Sequence, residues 1–181
     1  NGVKVIDLKT SNGYVDMGRQ LGTVILSLSN YSVMVKVFVP AASDITGDGN
    51  FVWSFANSNN IAADANGCQF FCAKNGRYAI SPDNWTSESK IETGTAVAKG
   101  VWQTIMYVQE NGVGRIFING LLAKSGAIAM APRELGATAF NYLGRSCYSA
   151  DAYLKDAKLA DFRIYDAPLS AVQVEQLSGN V

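Results

Sequence analysis

The run Trp102-Gln103-Thr104-Ile105-Met106-Tyr107-Val108 and the run Gly114-Arg115-Ile116-Phe117-Ile118-Asn119-Gly120 decide the fold. Leu143-Gly144-Arg145-Ser146 and then Ala160-Asp161-Phe162-Arg163-Ile164-Tyr165-Asp166-Ala167-Pro168-Leu169-Ser170 follow them. Asn111-Gly112 separates the first two runs, and Asn119-Gly120 ends the second. Asn and Gly tolerate the positive φ of primed two-residue turns, so each pair predicts a tight hairpin, as does Asn75-Gly76.

Working outward, Tyr31, Val33, Val35, Val37 and Val39 share one strand face, and Ser32, Met34, Lys36 and Phe38 share the other. Met34 and Phe38 make the second face partly apolar, as expected of a strand inside a sandwich. Further strands are expected at 4–8, 13–17, 51–56, 69–74, 77–81, 101–109, 114–118, 121–124, 141–144 and 157–165. Many short strands with turn signals between them predict an antiparallel all-β sandwich. The exception is 170–177, where Pro168 precedes, Ser170 can cap, and Val174 and Leu177 can face the core of one short C-terminal helix.

The order of these pieces resembles the laminin-G-like, concanavalin A-like jelly roll, in particular the bacterial type attached to glycoside hydrolases. The pieces are a Trp strand, a hairpin ending in Asn119-Gly120, the Gly144-Arg145 strand, the strand Asp161-Phe162-Arg163-Ile164-Tyr165, and the helix start Ala167-Pro168-Leu169-Ser170. More loosely, Asn12-Gly13-Tyr14-Val15-Asp16-Met17-Gly18 looks like the first strand of such modules, and Ser54-Phe55-Ala56-Asn57 resembles another. The resemblance implies a two-sheet jelly roll spanning residues 1–181 as one domain. It also implies a non-catalytic carbohydrate-binding or accessory module of a secreted or surface glycan-degrading protein. The implied partners are a poly- or oligosaccharide and a neighbouring catalytic domain, and the implied location is extracellular, cell-surface or periplasmic. Two alternatives stand beside it: a structural spacer packed on a catalytic domain without binding sugar, and an extracellular protein-adhesion module.

Composition narrows the classes. A chain of 181 residues is long enough to bury about 70% of its unfolded surface in one core. Fifteen basic and fifteen acidic residues cancel, and neither sign forms a run. No field is available to hold nucleic acid. No stretch approaches the length of apolar sequence that membrane insertion requires. The first residue is Asn, which suggests an excised domain or mature segment. Histidine is absent, which removes Ser-His and Cys-His nucleophile pairs and histidine-ligated zinc.

Catalytic relatives of this fold carry an E-x-D-x-x-E run, whose alternate carboxylates face one sugar ring. The nearest cluster here, Glu88-Ser89-Lys90-Ile91-Glu92, lacks the central acid and is expected to be solvated surface charge. The chain therefore reads as a non-enzyme whose parent protein is a candidate glycoside hydrolase.

Sugar binding asks for flat aromatic faces beside amides, carboxylates or guanidinium groups. Trp85, in the polar loop Ser81-Pro82-Asp83-Asn84-Trp85-Thr86-Ser87, is the leading candidate. Asn84 lies beside it. Tyr148 and Tyr153 flank Asp151 in a second polar loop, and Arg77 and Arg145 can fork onto hydroxyls or a uronate. Trp53 and Trp102 lie in strands and are expected in the core. Asn84-Trp85-Thr86 and Asn30-Tyr31-Ser32 fit the glycosylation sequon, which matters only in a eukaryotic secretory route.

Laminin-G-like domains often hold calcium, so the resemblance implies a structural calcium ion. Asp44, Asp48 and Asn50 in a Gly-rich loop are one candidate ligand set. Asp16 and Asp161 are another, because the first and last strands of such sandwiches often run side by side.

Cys68 and Cys72 lie roughly 13 Å apart along a regular strand, beyond the reach of about 7 Å that a disulfide spans. Cys147 can pair with either, and Cys68 with Cys147 is the favoured pair because both adjoin loops. Such a bridge would contribute roughly 4 kcal/mol in the chain-entropy account. The alternative is three buried thiols acting as small apolar residues.

Overall fold

The computed structural model describes residues 2–60 and 66–179. Twelve strands form two antiparallel six-stranded sheets. In chain order the strands are β1 (Ile6–Asp7), β2 (Val15–Asp16), β3 (Tyr31–Phe38), β4 (Phe51–Ala56), β5 (Cys68–Cys72) and β6 (Arg77–Ser81). They continue as β7 (Ser89–Glu92), β8 (Trp102–Glu110), β9 (Val113–Ile118), β10 (Leu121–Ala127), β11 (Phe140–Leu143) and β12 (Lys158–Tyr165). One sheet runs β1-β12-β3-β8-β9-β10 and the other β2-β11-β4-β5-β6-β7, as a jelly-roll sandwich requires. Helix α1 spans Gln20–Ile25 and helix α2 spans Ala171–Gly179. Among the described residues, no helix is long and apolar enough to cross a membrane.

The inner faces carry the expected alternation. Tyr31, Val33, Val35 and Val37 of β3 are fully buried in the shared core with Ile105 and Tyr107 of β8 and with Tyr78 and Ile80 of β6. Tyr78 stacks on Tyr107 at 3.5 Å between ring centroids. Tyr31 and Tyr78 share a hydroxyl contact of 2.6 Å, and Tyr31 donates to Gln69 Oε1 at 2.9 Å. Their polar tips are thus satisfied inside the core, as burial demands.

Both outer faces are partly covered. On the first sheet, Met34, Met106, Val108 and Phe117 are sealed by Val174 of α2, with Leu169 and Leu177 packed beside it. On the second sheet, Phe51, Cys68, Phe70, Cys72 and Ala79 are sealed by Cys147 and Tyr148 from the loop between β11 and β12. β4 and β5 are therefore buried on both sides. This explains why Phe51-Val52-Trp53-Ser54-Phe55-Ala56 reads as a continuous apolar run instead of alternating.

The Asn111-Gly112 and Asn119-Gly120 hairpins have two-residue loops with positive φ at both positions, 50° and 76° for the first and 50° and 85° for the second. Asn75-Gly76 differs. It closes a turn between Cys72 and Arg77 in which only Gly76 has positive φ, at 60°.

Two elements were not foreseen. α1 is six residues long, too short for a 3.6-residue period to register. β7 buries only Ile91, and its strand identity comes from pairing with β6, with Arg77 opposite Glu92 and Tyr78 opposite Ile91. Trp53 lies in the core, stacked on Phe71 at 5.1 Å. Trp102 does not: it is 39% exposed on the outer face of β8, tilted against Phe38 at 5.7 Å. Strand membership alone cannot say which face an aromatic takes.

Candidate functional site

A cleft of about 410 Å³ opens on the outer side of the second sheet. Its floor is Phe51 at the start of β4, stacked on Phe70 at 3.9 Å, together with Tyr148. One wall holds Arg77 of β6, Trp85 and Glu88. The opposite wall holds Gly49, Ala150 and Asp151, and Asp48 and Lys74 stand at the rim.

Local sequence chemistry sets each wall. Trp85 begins a single 3-10 turn, Trp85–Ser87. Asn84 caps it, accepting from Thr86 N–H at 2.9 Å and from Thr86 Oγ1 at 2.8 Å, as Asn does at helix starts. Ser81 Oγ donates to the Asn84 carbonyl at 2.6 Å and anchors the turn to β6. The indole that results is 48% exposed and meets the edge of Tyr148 at 5.2 Å.

The opposite wall is two loops zipped together. Asn50 N–H donates to the Ala152 carbonyl, and Ala152 N–H to the Asp48 carbonyl, both at 2.9 Å. Gly49 sits between them with φ +91°, and a Cβ there would stand 2.5 Å from Ala152 O. Only glycine fits both the angle and the space. Ser146 Oγ donates to Asp151 Oδ2 at 2.6 Å and accepts from Tyr148 N–H at 3.0 Å, which fixes the loop over the sheet.

The charges are unusual for a surface cleft. The Glu88 side chain is only 3% exposed and lies 3.1 Å from Arg77 and 3.9 Å from Lys90. The expectation that Glu88 is solvated is therefore corrected: pairing of β7 with β6 draws the residue just before β7 under the Trp85 turn. Burial raises the Glu88 carboxyl above its ordinary range, against the lowering influence of Arg77 and Lys90. Burial likewise raises Asp151, partly offset by the Ser146 hydroxyl. Glu88 Oε1 and Arg77 Nε are buried without hydrogen-bond partners.

The sequence candidates therefore divide. Trp85, Tyr148, Asp151 and Arg77 line one cleft, and Asn84 supports it from behind. Tyr153 and Arg145 lie elsewhere. The Arg145 guanidinium stands over the rings of Tyr142, Tyr14 and Tyr153 at 4.7, 4.8 and 5.5 Å. These rings meet one another edge-on, and Arg145 occupies the space between them as cation–π packing. Glu88 was missed as a cleft residue, because spacing carries no sign of the β6–β7 pairing that buries it.

The candidate calcium ligands do not assemble. Asp44 Oδ1 accepts from both N–H and Oγ1 of Thr46, and Asp48 pairs with Lys74 at 3.3 Å. Asn50 Nδ2 donates to the Gly47 carbonyl. Asp16 accepts from Gly18 N–H at 2.8 Å, and Asp161 holds Arg163 through two bonds of 2.7 and 3.1 Å. Asp16 and Asp161 belong to different sheets, since β1 and not β2 pairs with β12. No group of three or more acidic or thiol side chains that would hold a metal exists among the described residues.

Cys68, Cys72 and Cys147 are free, buried thiols. Interaction with Cys147 lowers the Cys68 thiol, and interaction with Cys68 together with burial raises that of Cys147. Cys72 donates to the Gly49 carbonyl at 3.3 Å.

A family model described as the concanavalin A-like lectin/glucanases superfamily matches residues 11–175. No curated protein sequence matches the chain. Among solved structures, the CBM40 of the Ruminococcus gnavus IT-sialidase, bound to α2,3-sialyllactose, superposes with a TM-score of 0.72 at 15% identity, over 99% of this chain and 100% of that one. Domain 4 of AbnA, a GH43 extracellular arabinanase from Geobacillus stearothermophilus in complex with arabinotriose, gives 0.64 at 18% identity, over 98% and 82%. Botulinum neurotoxin type C, whose cell entry depends on two ganglioside molecules, gives 0.67 at 12% identity, over 97% of this chain and 42% of that one. The present chain thus spans less than half of the toxin chain. At these identities the likeness is one of fold.

Proposed function

The chain belongs to the concanavalin A-like lectin/glucanases superfamily, and from that premise we propose that it is a non-catalytic carbohydrate-binding module whose site is the Trp85 cleft. The observation that carries this reading is the half-exposed Trp85 indole at the edge of a cleft that also presents Arg77 and Asp151. An aromatic face takes the apolar C–H side of a sugar ring, and charged groups beside it take the hydroxyls. The sugar-binding neighbours of the same fold support the assignment. A secreted or surface glycan-degrading parent protein, with a catalytic domain beside this one, completes the proposal.

The experiment is affinity electrophoresis and calorimetry against plant polysaccharides and host glycans, with Trp85→Ala as the control and EDTA as a second arm. The reading expects binding that is lost in Trp85→Ala and kept in EDTA. Absence of binding to the whole panel refutes it.

One observation favours a second reading, the spacer. On the other sheet, Val3, Val5 and Trp102 are 76%, 44% and 39% exposed and line an apolar cleft. Its acceptor oxygens are already engaged. Asn119 Oδ1 accepts from Thr104 N–H, Gln103 Oε1 from Ala98 N–H, and Asp161 binds Arg163. That surface suits packing against a neighbouring domain better than hydroxyl recognition. The two readings use opposite faces, so Trp102→Ala leaves glycan binding intact if the first holds.

A further inference from the structure

Resting on the assignment of the Trp85 cleft as a sugar site, we propose that it selects neutral glycans and discriminates against those bearing a carboxylate, such as sialosides and uronates. A cation that is free to pair with it gives a carboxylate its strongest recognition. Among the cleft-lining residues, Asp48, Glu88 and Asp151 stand against Lys74 and Arg77, so acids outnumber bases by one.

Each base has an acidic partner. Arg77 is clamped between the Phe70 ring, 5.4 Å from its guanidinium carbon, and Glu88, whose Oε2 lies 3.1 Å from Nη1. Because Glu88 is buried, this pair is poorly screened, and the guanidinium is neutralised from within the protein. Lys74 is matched by Asp48 at 3.3 Å on the rim.

The acids are better placed for hydroxyls than for anions. Asp151 has a hydroxyl partner in Ser146 and, among the described residues, no basic side chain within ion-pair distance. A sugar hydroxyl can donate to the Asp151 carboxylate. An incoming carboxylate meets the one unmatched like charge of Asp151 instead, and repulsion in a partly desolvated cleft is stronger than in open water.

The test is calorimetric titration of the intact chain with matched pairs that differ by a carboxylate: lactose against α2,3-sialyllactose, and methyl-esterified against de-esterified oligogalacturonide, with arabinotriose as a further neutral probe. The neutral member is expected to bind at least about tenfold more tightly. Glu88→Gln and Asp151→Asn should each narrow that ratio, with folding checked by circular dichroism. If Glu88→Gln does not fold, Asp151→Asn decides. Equal or tighter binding of the acidic members overturns the selectivity while leaving the sugar site standing. A ratio unchanged in folded variants overturns its electrostatic basis. Failure of every probe to bind overturns the sugar site itself.

Discussion

Trp85 and Tyr148 meet edge to face at 74° and 5.2 Å, yet one is 48% exposed and the other 6%. The contact joins the outermost aromatic of the cleft to its floor. Tyr148 is held in turn by Phe51 at 6.5 Å and by Cys68, whose Sγ lies 3.5 Å from the hydroxyl. The two rings therefore have separable roles, Trp85 facing the ligand and Tyr148 supporting the cleft.

Replacing each ring separates those roles. Trp85→Ala is expected to abolish glycan binding at a cost of about 1 kcal/mol in stability, since half of the ring is already in water. Tyr148→Ala should cost about 3–5 kcal/mol, the range for a large buried aromatic, and should lose binding through collapse of the loop. Chemical denaturation of both variants checks this. Equal destabilisation by the two would refute it.

Gly49→Ala tests the zipped wall. A side chain there must tolerate φ +91° and a contact of 2.5 Å with the Ala152 carbonyl. A loss of about 2 kcal/mol or more is expected from strain at such a position. The loop carrying Asp151 should loosen, which amide hydrogen exchange at Ala152 and Asn50 would register as lost protection. Retained protection would mean that the loops are held by other contacts.

Asp151 gives a pH signature. Burial lifts its carboxyl above the ordinary 3.8, so the folded chain binds that proton more tightly than the unfolded chain. Its relative stabilisation is therefore fully present below 3.8 and is lost as pH rises through the raised value. The melting temperature of the natural chain minus that of Asp151→Asn should fall across this window and flatten above it. A difference that grows with pH would contradict the assignment.

The cysteines predict one specific bridge. With Cys147 and Cys68 in one buried cluster and Cys72 engaged by the Gly49 carbonyl, a mild disulfide oxidant should join Cys68 to Cys147. Each thiol then gives up one proton and one electron to the oxidant, and Cys72 stays free. Peptide mass mapping after oxidation reads this directly. A Cys72 linkage would refute it. The bridge would tie the Tyr148 loop to β5 and raise the melting temperature.

Much of the sandwich is legible without coordinates. β4 and β6 match the expected 51–56 and 77–81 to the residue, because their apolar runs are bounded by turn residues. The valine face of β3 follows from a period of two. The cleft is legible in part. An indole in a polar loop draws attention to Trp85, and aromatics beside an acid draw attention to Tyr148 and Asp151. Nothing in the order of residues separates Arg145 and Tyr153, which pack with Tyr14 and Tyr142, from the set that lines the cleft.

By itself the sequence determined the strand periodicity, the two primed hairpins and the terminal helix, all of which follow from interactions between residues close along the chain. Only the tertiary structure decided that Glu88 is buried against Arg77, that Trp102 faces outward, and that Asp16 and Asp161 stand in different sheets. Each of these depends on which strand lies beside which, and on which face a loop covers. Such choices are set by long-range burial, where one residue's environment is supplied by partners distant in the chain.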